Sequence, residues 1–140
     1  MSFGVGGCLY RWIRDFLFQR SIKVVINGCE SSSGLLNAGV PQGSILGPTL
    51  FLIFINDLSE VVSSQVHMFA DDTTISAVVP TIRQRAAVSD TLSSDLTEVD
   101  NWAKNWLVAF NVKKTQLLGI SRKKVKDNCV VRFMDEVLKF

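Results

Sequence analysis

The sequence is poor in the residues from which many active sites are built. Its 140 positions hold three cysteines and one histidine. Cys8, Cys29 and Cys129 are odd in number and far apart, which argues against a disulfide framework and matches none of the spacings of a zinc site. They read as small hydrophobes for the interior of a protein in a reducing compartment. His67 sits in an apolar run and reads as a strand residue, so Ser44 has no imidazole partner and a hydrolase triad is unsupported. A long hydrophobic run is also missing. The most apolar one, Ile45 to Ile55, is broken by Gly47 and Pro48, closes on Asn56-Asp57 and is too short to span a bilayer. Met1 to Gly7 carries no basic residue, so no secretory leader is expected.

What is present suits one globular domain. Hydrophobic residues make up 47% of the chain, enough for a real core at this length. The net charge of +2 hides an asymmetry: residues 1–110 hold seven Lys/Arg against ten Asp/Glu, residues 111–140 eight against three. The basic cluster Lys113, Lys114, Arg122, Lys123, Lys124 and Lys126 suits a phosphate backbone, and equally a solvated lysine loop.

Periodicity supplies the elements. Leu9, Trp12, Ile13, Phe16 and Leu17 recur at helical spacing, predicting a helix from Gly7 to Gln19. Ile22 to Ile26 reads as a strand ended by the turn pair Asn27-Gly28, Glu30 to Gly34 as a Ser-rich loop, and Leu35 to Val40 as the strand's hairpin partner. Three glycines and two prolines between Gly39 and Pro48 mark an irregular loop. Pro48 then suits the first turn of a helix, and Leu50, Phe51, Phe54, Ile55 and Leu58 make that helix apolar almost all round, so a core position is expected. Thr81 with Gln84, after Pro80, matches a capping box. Val88, Leu92, Leu96, Val99, Ala103 and Trp106 form the stripe of the longest helix, expected to pack across a sheet, with Trp102 beside the stripe and Asn111 past its end. Gln116 to Ser121 and Cys129 to Phe133 are predicted strands, and the chain stops at Leu138-Lys139-Phe140 with no further turn. One α+β domain over residues 1–140, helices packed on an antiparallel sheet, is the expected architecture.

Two adjacent aspartates, Asp71 and Asp72, interrupt the arms Val66–Ala70 and Thr73–Val79. Aspartate is disfavoured in strands and suits tight turns, so a hairpin with both carboxylates at its tip is predicted. Lifting two charges to one end of an apolar ribbon is costly unless water or a cation meets them. A solvated turn and a site for a hard divalent cation both satisfy that condition. The Gly39-to-Gly47 loop fails as a P-loop, since no Lys-Ser/Thr follows its second glycine at the required spacing. Gly43 still allows close approach of a ligand, and the Gln42 amide can donate and accept to a base or ribose edge; a purely structural turn fits as well.

Taken in order, Gly39-Val40-Pro41-Gln42-Gly43-Ser44-Ile45-Leu46-Gly47-Pro48, Leu50-Phe51-Leu52-Ile53-Phe54-Ile55-Asn56-Asp57-Leu58, Phe69-Ala70-Asp71-Asp72-Thr73 and Asn111-Val112-Lys113-Lys114-Thr115 closely resemble the reverse transcriptases of non-LTR (LINE-type) retrotransposons. Trp12-Ile13-Arg14-Asp15-Phe16-Leu17 is similar to the helix preceding these motifs in that family. The resemblance covers nearly the whole chain and implies an RNA-directed DNA polymerase palm, acting on RNA template, DNA primer and deoxynucleotides with a two-ion Mg²⁺ site. It implies that Asp71 is a metal ligand and Asp72 its less direct neighbour, and that Pro41, Gln42 and Gly43 lie against the incoming nucleotide and template base. Ala70 would pack under the primer end, and Lys114 would meet the nucleotide phosphates and act as the acid toward pyrophosphate. Nuclear or cytoplasmic localisation and no membrane partner follow from the same likeness.

Neighbouring residues on an extended chain face opposite ways, so Asp71 and Asp72 cannot easily bridge two ions alone. The family's further carboxylate comes from a strand upstream of the first helix, and this sequence begins after it. It also ends before the family's primer-grip hairpin would be complete. Asp15, on the first helix, and Asp57, closing the buried one, are not placed beside the hairpin. The expectation is a central palm fragment, inactive without the rest of the polymerase chain. The alternatives are a non-catalytic remnant that at most binds nucleic acid, and a group II intron or cellular reverse transcriptase, which shares the chemistry but not the Gly39-to-Leu58 wording.

Overall fold

The computed structural model describes residues 4–122 and 129–138. Lys123, Lys124 and Lys126 of the predicted basic cluster lie outside the described residues. Helices and antiparallel strands combine as an α+β architecture in which the described strands pair as four two-stranded ribbons rather than one continuous sheet. The chain divides into two compact units, Met1–Ile55 and Asn56–Phe140.

In the first unit, α1 spans Gly7–Leu17, two residues shorter than predicted. It stops because Gln19 turns left-handed (φ 48°) and Arg20 starts a strand. Trp12 and Phe16, one turn apart, stack at 5.9 Å. The predicted strand Ile22–Ile26 is two strands: β1 (Arg20–Ile22) pairs with β4 (Gly34–Leu36), and β2 (Val25–Ile26) pairs with β3 (Cys29–Glu30). The ladder breaks at Lys23-Val24, where the Val24 N–H goes to the Ser31 hydroxyl at 3.0 Å. Asn27 and Gly28 both have positive φ, as a type I′ hairpin turn requires. Strands of two and three residues offer little surface to cover a helix. On α1, Leu9 and Trp12 accordingly stay exposed while Ile13, Phe16 and Leu17 are half-buried, and the side chains of Ile26 and Leu35 stay exposed.

The apolar helix α2 spans Leu46–Ile55, with Pro48 in its first turn as predicted. Its expected core position is corrected: only Gly47 and Ile55 are buried, and Leu52 and Ile53 are exposed. A helix apolar all round needs cover on every side, which the short ribbons of this unit do not supply. Cys8 and Cys29, expected inside, are exposed for the same reason.

The second unit has the core. Leu58, Val99, Trp102, Ala103, Val131, Phe133 and Leu138 are its buried apolar residues. A 3-10 helix at Asn56–Glu60 carries Leu58 into it. The predicted capping box is replaced by a 3-10 turn at Ile82–Gln84: the Gln84 N–H goes to the Thr81 carbonyl at 3.0 Å, and the Thr81 hydroxyl bonds the Gln84 side chain at 2.8 Å. The long helix α3 then runs Arg85–Trp106 and ends on Leu107 in the left-handed conformation (φ 56°), with the Val108 N–H returning to the Ala103 carbonyl at 2.8 Å. Trp102 is buried; Trp106, predicted on the stripe, is about half exposed as the last residue of the helix.

Two further predictions are corrected. Gln116–Ser121 forms no strand; a strand needs a ladder partner, and Leu118 and Ile120 stand exposed. At the other end, where one strand was predicted, Val131–Phe133 (β7) and Glu136–Leu138 (β8) pair as a hairpin. Its turn, Met134-Asp135, lacks the usual glycine signal, and Met134 takes φ 53°. Helix α3 receives this hairpin through serines: Ser89 Oγ donates to the Val130 carbonyl, and Ser93 Oγ accepts the Arg132 N–H at 3.1 Å.

Candidate active site at a hairpin tip

The two aspartates are carried by β5 (Gln65–Phe69) and β6 (Asp72–Ser76), paired in register from Gln65↔Ser76 to Phe69↔Asp72. The turn is therefore Ala70-Asp71, one residue earlier than predicted, and Asp72 opens β6. Ala70 takes φ 52°, a sign that hairpin turns usually give to glycine and that costs an L-residue roughly 1 kcal/mol. Alternation puts Val66, Met68, Thr73 and Ile75 on a half-buried face, and Gln65, His67, Phe69, Asp72 and Thr74 on an exposed one. His67 is thus an exposed strand residue opposite Thr74. Ala70, Asp71 and Asp72 are exposed together at the tip, and Phe69, across from Asp72, is 83% exposed.

Two carboxylates are hard oxygen donors, as a hard divalent cation requires. Among the described residues no three His, Cys, Asp or Glu side chains form a metal cage. The donor set fits Mg²⁺ as part of a site, with oxygens still to be supplied from elsewhere. The other acids considered are engaged: Asp57 accepts the Trp102 indole N–H at 3.0 Å, and Asp15 pairs with Arg14 at 2.9 Å.

The base of the same hairpin is held by a residue that sequence reasoning missed. Asp95 is 4% exposed on α3. Its Oδ1 accepts the Ser63 N–H at 2.8 Å and the Ser63 hydroxyl at 2.9 Å, and its Oδ2 accepts the Ser64 N–H at 3.0 Å, immediately before β5. Burial alone would raise its pKa, but the bonds from Ser64 and Ser63 outweigh it and hold the carboxyl below its ordinary value. A depressed pKa stabilises the fold fully above the unfolded-state value, about 3.9, and the contribution is lost as pH falls through the folded-state value. Acid titration of the unfolding midpoint should therefore show a decline in and below that range that is absent in Asp95→Asn. An unchanged acid slope in the variant would contradict the assignment. Nothing in the spacing of Asp95 links it to Ser63-Ser64; only the crossing of α3 with the start of β5 does.

Lys114 closes a 3-10 turn, Val112–Lys114, held by the Lys114 N–H and the Thr115 hydroxyl on the Asn111 carbonyl at 3.0 and 3.2 Å. Its side chain is exposed in the same unit as the hairpin. Pro41, Gln42 and Gly43 belong to the first unit. There Gly43 takes φ 78°, and the Ser44 hydroxyl both donates to the Pro41 carbonyl at 2.7 Å and accepts the Gly47 N–H at 2.9 Å. A Cβ on Gly47 would meet the Pro41 carbonyl oxygen at 2.7 Å, so glycine is needed where α2 begins. Arg20 steadies the loop from upstream, donating to the Leu17 carbonyl at 3.1 Å, the Ala38 carbonyl at 3.0 Å and the Gly39 carbonyl. Gln42 is exposed at the turn.

Comparison with known proteins covers every one of these positions. The family model of reverse transcriptase (RNA-dependent DNA polymerase) matches residues 2–126. The chain is 37% identical over 114 residues to the RNA-directed DNA polymerase from mobile element jockey of Drosophila melanogaster, and 34% identical over 114 residues to that of Drosophila funebris. It is 28% identical over 114 residues to the probable RNA-directed DNA polymerase from transposon BS of Drosophila melanogaster. In each case 76% of this chain is covered and 12% of the relative, so the chain spans about an eighth of the curated relatives it matches. No solved structure matches.

Proposed function

This chain belongs to the reverse transcriptase family, and we propose that it is the stretch of an RNA-directed DNA polymerase that carries the hairpin carboxylates of the nucleotidyl-transfer site. The observation that supports this most directly is the exposed pair Asp71-Asp72 at a two-residue turn. Asp71 would hold Mg²⁺, with Asp72 as its neighbour and a further carboxylate from the longer polymerase chain. Held there, divalent ions would supply activation of a primer 3′-hydroxyl and neutralisation of the charge that builds at phosphorus. In each unit, further side chains of this chain would handle the reactants. The Gln42 amide can donate and accept at a base or ribose edge, and Gly43 keeps the turn open to close approach. Lys114 offers a mobile ammonium to nucleotide phosphates and a proton to departing pyrophosphate. Ala70, with one methyl group, leaves room beside the carboxylates for a primer end. The substrates are an RNA template, a DNA primer and deoxynucleotides. No helix among the described residues is long and apolar enough to cross a membrane.

Primer extension tests the reading. The 140-residue chain with primer, template, deoxynucleotides and Mg²⁺ should give no product, and joining it to an upstream polymerase segment that carries a further Asp-bearing strand should give extension. Salt-sensitive nucleic-acid binding without extension in the joined protein would instead identify a non-catalytic remnant.

A further inference from the structure

The proposed chemistry places Asp71 and Asp72 at the far end of a two-stranded ribbon, and such ribbons are marginal on their own. Five residues of β5 separate the tip from Ser63-Ser64, roughly 17 Å of extended chain. A pivot of about 5° at the base would carry the tip by about 1.5 Å, whereas a working site tolerates about 0.5 Å. A misplacement of about 1 Å can cost about 100-fold in rate. The ribbon's aim therefore depends on what grips its base.

We infer that Asp95 is a positioning residue for the hairpin carboxylates: its buried carboxylate clamps the Ser63 and Ser64 backbone to α3 and so sets where β5 leaves the helix and where Asp71 and Asp72 arrive. Three bonds converge on this one side chain, two of them from backbone N–H groups adjacent to the strand. The contact is anchored on the helix side. Asp95 lies on a 22-residue helix whose buried neighbours Val99, Trp102 and Ala103 form the core. Sliding Ser63 and Ser64 along α3 would break both of their N–H bonds to the carboxylate. A carboxylate suits this post better than an amide, because both of its oxygens accept and neither donates. The aim of the tip matters for catalysis only if the proposed metal role of Asp71 holds.

Amide hydrogen exchange, read by NMR on the 140-residue chain, and Mn²⁺-induced line broadening, read on that chain joined to the upstream polymerase segment, test the two claims separately. In Asp95→Asn, exchange at Ser63, Ser64 and the β5–β6 ladder should speed up roughly 10-fold or more while α3 stays protected. Ser63→Ala, which removes the hydroxyl bond and leaves both amide bonds, should loosen the same amides by a smaller factor. In the wild type, Mn²⁺ should broaden the signals of residues 70–73, and at the same Mn²⁺ concentration that broadening should weaken in Asp95→Asn. Unchanged exchange along the hairpin, or loss of α3 protection together with it, would overturn the positioning role. Absence of broadening in the wild type would sink the metal reading instead, leaving the clamp to be judged by exchange.

Discussion

Replacing Asp71 with asparagine in a polymerase assembled around this chain should lower primer extension about 1000-fold. Asparagine keeps the size and one acceptor oxygen but removes the negative charge and one ligand oxygen. Metal stabilisation of a phosphoryl transition state is worth several kcal/mol, and each 1.36 kcal/mol is a factor of ten in rate. The residue is exposed at a turn, so folding should change by no more than about 0.5 kcal/mol. The measurement is single-turnover extension at saturating Mg²⁺ beside a thermal melt of the same protein. Retention of more than a tenth of the wild-type rate would remove Asp71 from the proposed metal site. Asp72→Asn should cost less, because Asp72 belongs to β6 and lies on the exposed face beside Phe69 rather than in the turn itself.

Trp102→Ala should have the largest effect on stability. The indole is 5% exposed among the few apolar side chains that make up the core of the second unit, and its N–H satisfies Asp57 at 3.0 Å. Truncating a buried tryptophan costs about 3–5 kcal/mol, and here it also leaves the partly buried Asp57 without its indole donor. Domains of ordinary stability have only about 5–15 kcal/mol in total, so much of the unit's margin would go. Urea unfolding followed by circular dichroism should show a clearly lowered midpoint. Trp102→Phe, which keeps most of the volume and loses the donor, should fall between the two. A shift of less than about 1 kcal/mol in Trp102→Ala would mean that the core lies elsewhere.

Where local chemistry decides, the sequence was a reliable guide. The 3.6-residue stripe from Val88 onward placed α3, the Asn27-Gly28 pair placed a turn, and the paired aspartates between apolar arms placed a hairpin within one residue of its turn. The misses share a different cause. Whether Gln116–Ser121 becomes a strand depends on a neighbour to receive its N–H groups, which its own residues do not encode. Whether α2 is buried depends on what covers it. The β7–β8 hairpin went unseen because Met134 occupies a left-handed position that carries no side-chain signature.

The candidate site shows the same division. The order of loop, helix, Asp-Asp turn and Asn-Val-Lys-Lys-Thr segment was sufficient to indicate the family by resemblance, because the order and spacing of motifs are carried by the chain itself and need no tertiary contact to be seen. Residues 63–64 and 95 could be joined only in three dimensions: a hydrogen bond spanning some thirty positions leaves no periodic trace, and it forms because packing Val99 and Trp102 into the core brings the Asp95 face of α3 against the start of β5.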